Sequence, residues 1–365
     1  MKKKKITKNL FLYIPLIIIM IISFFNMYNA KFLSSSYNNH LIKQILWYFI
    51  GFLILFIFNK INLKNIFKYS FLIYLFSILL LILVLLFGKE INGARAWFSL
   101  KFFSFQPSEL MKLGLSLYIP YIVSKSDVTS FKNEIILIIK IVFITLIPSI
   151  LVFLEPDTGA IIIYIIIAAT ILLTSKIRKR LFIPIVILAI IIIITFMYLY
   201  FNNQDILINI LGTSFFYRVE RIMSFTNNTS LQLENALVAI GSSSFLGCGI
   251  GKTTIYIPEA PTDFIVAFTI SNFGYLGITL TLISYLVLDL YLLYCYKIIN
   301  DKKSKYFLIS FIGIFLFQQF ENILMNIGLM PIMGIPLPFL SYGGTTIIIY
   351  FIYLALLLKQ LKKES

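Results

Sequence analysis

Ile183-Pro-Ile-Val-Ile-Leu-Ala-Ile-Ile-Ile-Ile-Ile194 contains no side chain able to form a hydrogen bond. With its flanks it makes a mostly apolar run over 181–201. About 20 such residues in a helix cross the ~30 Å hydrocarbon layer of a bilayer. Nine more stretches read the same way: 10–28, 41–58, 67–87, 108–123, 135–153, 159–174, 264–296, 306–326 and 341–358. The stretch 264–296 exceeds one bilayer width, so it is expected to tilt or protrude. The expected fold is therefore all-α: a polytopic membrane protein of about ten transmembrane helices, one domain over 1–365. Its longest non-membrane stretch, 202–262, is expected as a large extracytoplasmic loop between helices seven and eight.

Composition agrees. Of the 365 residues 60% are hydrophobic and 13% charged, where a soluble domain carries about 25% charged residues. The net charge of +16 would suit nucleic acid, but the bases lie in short clusters between apolar spans, so no nucleic-acid partner is expected. Lys2 to Lys5 followed by Leu10 to Met27 resembles a signal peptide. It lacks a small-x-small cleavage site and further spans follow, so an uncleaved first helix is expected. With the N-terminus inside, 21 Lys and Arg fall on the cytoplasmic side and 8 outside. The positive-inside rule then places both termini in the cytoplasm. Cys248 and Cys295 fall on opposite faces, which argues against a disulfide.

The acids run the other way. Glu90, Glu155, Asp157, Asp205, Glu220, Glu234, Glu259 and Asp263 are all assigned outside. They read either as solvated loops or as the site for a charged substrate at the outer leaflet. Gln106-Pro107-Ser108-Glu109-Leu110-Met111-Lys112 opens the fourth span. Pro107 suits the first helical turn, and Glu109 and Lys112, three apart, share one face. The pair reads as a capping device, or as a cation held charged for a lipid-linked phosphate; an ionisable group at that depth usually faces a polar cavity. Asp157 in Glu155-Pro156-Asp157-Thr158-Gly159 either caps the sixth helix or lines the same cavity. Asp263, in Pro258-Glu259-Ala260-Pro261-Thr262-Asp263, either caps the eighth helix or serves as a general base whose partial burial raises its basicity.

Gly247-Cys248-Gly249-Ile250-Gly251-Lys252-Thr253 has the look of a nucleotide loop, but Leu246 stands where that pattern requires Gly. A Gly-rich turn is expected there. Gly334-Ile335-Pro336-Leu337-Pro338-Phe339-Leu340-Ser341-Tyr342-Gly343-Gly344 cannot be continuous helix, so it must be covered by protein or line a wet cavity. Asp289 and Glu321 are acids inside spans with no assigned role. One histidine, His40, leaves no His-based catalysis and no His-rich metal site.

These segments, with Asn92-Gly93-Ala94-Arg95-Ala96-Trp97 and Ala239-Ile240-Gly241-Ser242, resemble the SEDS family of cell-wall polymerases (RodA, FtsW, SpoVE) over about 92–344. Gly-Ile-Pro-Leu-Pro-Phe and the short cytoplasmic tails are most like its RodA members. The resemblance implies a peptidoglycan glycosyltransferase that polymerises lipid II at the outer leaflet of the bacterial inner membrane, in cell elongation. It implies Asp263 as the catalytic aspartate and Trp97, Glu109 and Lys112 as functional outer-face residues. Its implied partners are a class B penicillin-binding protein, the membrane proteins of the elongation complex, and membrane lipid. Arg95, Asp157, Arg218, Arg221 and Lys252 are further candidate substrate contacts. The metal is unknown; a divalent cation, Mg or Mn, is a candidate beside the leaving pyrophosphate. The chain departs from the family pattern at Glu155 (usually Gln), at Ala96 (often a base), at Pro261 (often His) and at Ser271-Asn272 (often two acids). The competing functions are a lipid II flippase and a non-catalytic scaffold.

Overall fold

The computed structural model describes residues 2–60, 66–91, 94–99, 104–211, 231–252 and 255–364. Ten long helices occupy the ten expected spans: α1 (Lys2–Ala30), α2 (His40–Lys60), α3 (Ser70–Phe87), α4 (Pro107–Lys125), α5 (Phe131–Leu154), α6 (Thr158–Thr174), α7 (Phe182–Asn202), α10 (Ile265–Ile298), α11 (Lys302–Asn326) and α12 (Gly344–Glu364). Among the described residues, seven helices are long and apolar enough to cross a membrane. Of the others, α6 has 17 residues, and α4 buries Glu109, Lys112 and two serines. The described part of the large loop is itself helical, with α8 (Gln204–Leu211) and α9 (Leu231–Gly241). Strands were not expected. Yet β1 (Lys89–Ile91), β2 (Ala94–Ser99) and β3 (Ser104–Phe105) form a small antiparallel meander in the loop before α4. Its core residue is Ala96, fully buried.

α12 packs on α2, α1 on α10, α3 on α4 and α6 on α11. The seams are partly polar. Asn26 of α1 donates to Thr269 Oγ1 (2.8 Å) and accepts from Asn272 Nδ2 (2.9 Å) of α10. In a lipid-embedded bundle such cross-helix bonds matter because burial of an unpaired amide is costly.

The long helix α10 is broken rather than merely tilted. Gly274 has φ 63 and ψ −161, outside helical space. The break releases helical carbonyls, and the Gly-rich turn takes them up. Ser243 Oγ bonds Ile270 O, Cys248 N bonds Ser271 O and Gly249 N bonds Asn272 O, while Leu276 N reaches Phe245 O. The fit leaves no room for a side chain: a Cβ on Gly274 would lie 2.3 Å from the carbonyl oxygens of Ser244 and Phe245.

The Pro- and Gly-rich stretch before α12 has the same problem at larger scale, and side chains resolve it. Every carbonyl from Leu337 to Ser341 has a donor. Ser341 N bonds Leu337 O (3.0 Å), Tyr285 OH bonds Pro338 O, and Tyr48 OH bonds Phe339 O. Ser23 Oγ bonds Leu340 O (2.8 Å) and Gln44 Nε2 bonds Ser341 O (3.1 Å). The donors come from α1, α2 and α10, so the irregular stretch is clamped from three sides. Removing one hydroxyl orphans a buried carbonyl, which costs about 1–3 kcal/mol. Tyr285→Phe and Tyr48→Phe are each expected to lower the unfolding temperature in detergent, and an unchanged transition would show the clamp to be dispensable. Gly274→Ala is expected to destabilise more than Gly249→Ala, whose position has no neighbour within 4 Å; equal losses in the same melt would contradict the packed break.

Candidate functional site

A cavity of about 450 Å³ opens among the starts of α2, α4, α6 and α12 and the segment 259–263 that leads into α10, beside the meander. Four helix starts and the lead-in to a fifth thus border one space. Each carries partial positive charge from its unpaired N–H groups. The residues that bring chemistry to the wall are Trp97, Glu109, Lys112, Asp157, Glu259 and Asp263, with Lys43 and Trp47 facing them from α2.

Glu109 and Lys112 form a salt bridge of 2.6 Å, their side chains 5% and 4% exposed. Three-residue spacing on α4 brings them together, as the sequence implied. Lys112 sits a turn and a half into the helix, and the second carboxylate oxygen of Glu109 has no hydrogen-bond partner among the described residues. Asp157 does both things the sequence allowed. Oδ1 caps α6 by accepting from Ala160 N (3.1 Å), and Oδ2 accepts from Gln106 Nε2 (2.9 Å) and Ser108 Oγ (3.2 Å). Tyr164 OH closes the set on Ser108 O (2.9 Å), fixing α4 against α6.

Asp263 is not the cap of α10: Phe264 holds that position, with no side-chain cap. Instead the backbone of Asp263 is pinned. Its N–H donates to Glu259 O (3.1 Å), and its carbonyl accepts from Asn322 (2.9 Å) and Asn326 (3.0 Å) of α11. Asn322 also holds Ile335 O (2.9 Å), so one amide ties the aspartate to the irregular stretch. Gly334 stands in front of the carboxylate; a Cβ there would lie 3.6 Å from Asp263 Oδ2. The carboxylate is therefore displayed on a rigid support with a gap before it.

Two acids lie behind the wall. Glu155 is fully buried with neither oxygen partnered among the described residues. Burial foremost, then the carboxylate of Asp157, pushes its pKa up to about 9. It is thus neutral at pH 7, close in shape and charge to the Gln usual at this position in the family pattern. Glu321 is also fully buried with unpartnered oxygens, next to Asn322 on α11. Asp289, unassigned from sequence, accepts from Gln319 Nε2 (3.0 Å).

Not every candidate reaches the cavity. Arg95 turns to Glu90 on the neighbouring strand, 4.0 Å away with both half-exposed, and is absent from the wall. Lys252 is exposed in the Gly-rich turn, which Asn29 holds to α1 through Gly249 O (3.0 Å) and Gly251 N (2.8 Å). That tether keeps it out of the cavity. Arg218 and Arg221 lie outside the described residues. Lys43 and Trp47 also line the wall and are not among the sequence candidates; the place of Lys43 one turn into a span, at its outer end, is a usable signal. Among the described residues no three His, Cys, Asp or Glu side chains gather closely enough to hold a metal ion by themselves.

Comparisons with known proteins follow the same outline. The FtsW/RodA/SpoVE cell cycle protein family matches residues 4–365. A Wigglesworthia glossinidia brevipalpis protein named "Probable peptidoglycan glycosyltransferase FtsW" is 32% identical, over 87% of this chain and 82% of its own. "Peptidoglycan glycosyltransferase MrdB" of Helicobacter pylori is 31% identical, over 87% of this chain and 81% of its own. Among solved structures, a chain from a peptidoglycan synthase complex that coordinates polymerization and crosslinking superposes with a TM-score of 0.76 at 24% identity, covering 96% of this chain and 97% of that one. The rod shape determining protein RodA of Thermus thermophilus gives 0.67 at 24% identity, covering 95% and 94%. The fold, the ordered outer-face segments and these likenesses agree: the chain is a multi-pass membrane protein of the FtsW/RodA/SpoVE (SEDS) family.

Proposed function

We propose that this chain is a peptidoglycan glycosyltransferase and that the cavity is where it joins lipid II units into glycan strands. The observation that carries the reading is the sharing of one cavity by Asp263 and the Glu109–Lys112 pair, at the end of the bundle where five helices begin. A diphosphate-bearing, membrane-anchored substrate suits that place. Helix starts and lysine amines favour anions, and the surrounding apolar spans let lipid tails remain in the bilayer. The positive-inside pattern assigns this end to the outer leaflet of the bacterial cell membrane, with both termini cytoplasmic.

In the proposed reaction the donor is a lipid-linked glycan with its anomeric carbon bonded to a polyprenyl diphosphate. The acceptor is a second lipid II, which attacks through the 4-hydroxyl of its GlcNAc. The new bond runs from that oxygen to the anomeric carbon. The old bond breaks with its electron pair retained on the diphosphate oxygen, and the hydroxyl proton passes to the Asp263 carboxylate. The pinned backbone of Asp263 keeps this base in place, and holding both reactants in register removes much of the entropic barrier. Lys112 stabilises the charge that accumulates on the diphosphate during transfer. Trp97 offers a flat face for a sugar ring.

The elongation role is supported by the RodA-like Gly-Ile-Pro-Leu-Pro-Phe segment and by the MrdB likeness. A class B penicillin-binding protein and the membrane proteins of the elongation complex are the proposed partners, in line with the synthase complex whose chain superposes here. Against a flippase, most of the acids concentrate at one end of the bundle, around the cavity, rather than near the middle of the spans. In liposomes a flippase moves labelled lipid II intact, whereas this chain is expected to consume it and release polyprenyl diphosphate.

Asp263→Asn is expected to insert and melt like the unsubstituted protein while losing at least about a hundredfold in polymer formed from purified lipid II; undiminished polymer would remove Asp263 as the base. Lys112→Ala is expected to cut donor use at least about tenfold and, by leaving Glu109 buried without a partner, to cost about 3–5 kcal/mol of stability. Glu109→Gln combined with Lys112→Met should recover the melting temperature but not turnover; full activity in the pair would rule out the charge-stabilising role.

A further inference from the structure

The two lysines of the cavity stand in different electrostatic settings. The Lys112 amine is 2.6 Å from Glu109 Oε1, and both side chains are buried. To an incoming anion that pair is a compact dipole of zero net charge. Lys43 is exposed in the wall on the α2 side. None of the ion pairs seen among the described residues, Glu90–Arg95, Glu109–Lys112 and Glu134–Arg178, takes up the Lys43 amine. It presents a whole positive charge to the cavity.

Its surroundings suit the junction between a diphosphate and a lipid chain. One turn further along α2, Trp47 also lines the cavity and packs so tightly on the start of α12 that a Cβ on Gly344 would lie 2.4 Å from its ring. Thr345 and Thr346 of α12 bring hydroxyls to the same wall. Beside Lys43, the exposed residues Ile42, Leu46, Phe49 and Leu53 form a stripe along α2 at spacings of four, three and four, the period of one helix face. A polyprenyl diphosphate laid here places its charged end at an amine and its chain along an apolar face. Lys112, buried in the same wall, has no such stripe beside it on α4, whose residues from Met111 to Leu117 are all buried.

We propose, on the basis of the polymerase reading, that Lys43 grips the diphosphate of the lipid-linked donor when it binds, and that Lys112 acts on the charge that develops only as the sugar is transferred. Lys43 forms no covalent bond and moves no proton; its contact is present equally before and during the reaction. Such a contact sets affinity, whereas one realised in the transition state sets turnover.

The test uses the full chain in nanodiscs, with polyprenyl diphosphate binding measured beside lipid II polymerisation. Lys43→Gln is expected to weaken polyprenyl diphosphate binding and raise the donor KM about tenfold or more, with kcat within about twofold. Lys43→Arg is expected to restore both to within about threefold. The Glu109→Gln, Lys112→Met pair is expected to keep the affinity and lose kcat. Inorganic pyrophosphate should bind far more weakly than the lipid-linked form, because it leaves the apolar stripe unused. Unsubstituted affinity in Lys43→Gln, failure of Lys43→Arg to rescue, or affinity lost only in the Glu109/Lys112 pair would overturn the proposal. If the unsubstituted protein binds polyprenyl diphosphate but forms no polymer, the polymerase reading falls, while the Lys43→Gln binding result still decides this assignment.

Discussion

The architecture depends on satisfying backbone carbonyls where no water can reach them. A Pro- and Gly-rich stretch cannot bond to itself as a helix does, and in a bilayer each orphaned group costs several kcal/mol. Here Ser23, Gln44, Tyr48 and Tyr285 supply the donors that 337–341 lacks. Asn322 extends the same solution to Ile335 and to Asp263. The main chain of Asp263 is thus held by the same scheme that makes irregular backbone tolerable at this depth. Stability and site geometry cannot be separated in this part of the molecule.

Charge is arranged just as economically. The helix starts around the cavity give it a positive bias without any ionisable group. Against that background the acids are placed unequally: Glu109 is matched by Lys112, Asp157 is saturated by three donors, and Glu155 is kept neutral by burial. Asp263, by contrast, is fixed through its main chain, and its carboxylate meets the cavity.

Much of this was legible in the sequence. Hydropathy alone placed all ten spans, because a bilayer-length apolar run has few other uses. Asp263, Glu109, Lys112 and Asp157 stand out as polar groups where a span begins, Trp97 through the family resemblance, and the structure gathers them around one cavity. What stayed hidden depended on three-dimensional partners. The break at Gly274 rests on a positive φ and on carbonyls taken by a distant turn, and Ser271 to Leu276 otherwise reads as plain helix. The meander at 89–105 is too short for its alternation to show. Arg95 and Lys252 looked like substrate contacts because isolated outer bases are few, but a cross-strand carboxylate and a tether from Asn29 direct them elsewhere. Lys43 was concealed by the same reasoning in reverse, its charge absorbed into topology.

The clamp on 337–341 also bears on how the chain is made. Ser23 and Gln44 enter the membrane roughly three hundred residues before the carbonyls they will serve exist (|i−j| is 317 for one pair and 297 for the other). Left alone in lipid they would be costly passengers during synthesis. Gln44 Nε2 lies 2.9 Å from Ser23 Oγ, so the first two helices can shelter each other's polar groups as a hairpin until the last segment arrives. The mature clamp then adds to that early bond without breaking it, which lets a site drawn from both ends of the polypeptide assemble late without leaving its first half exposed.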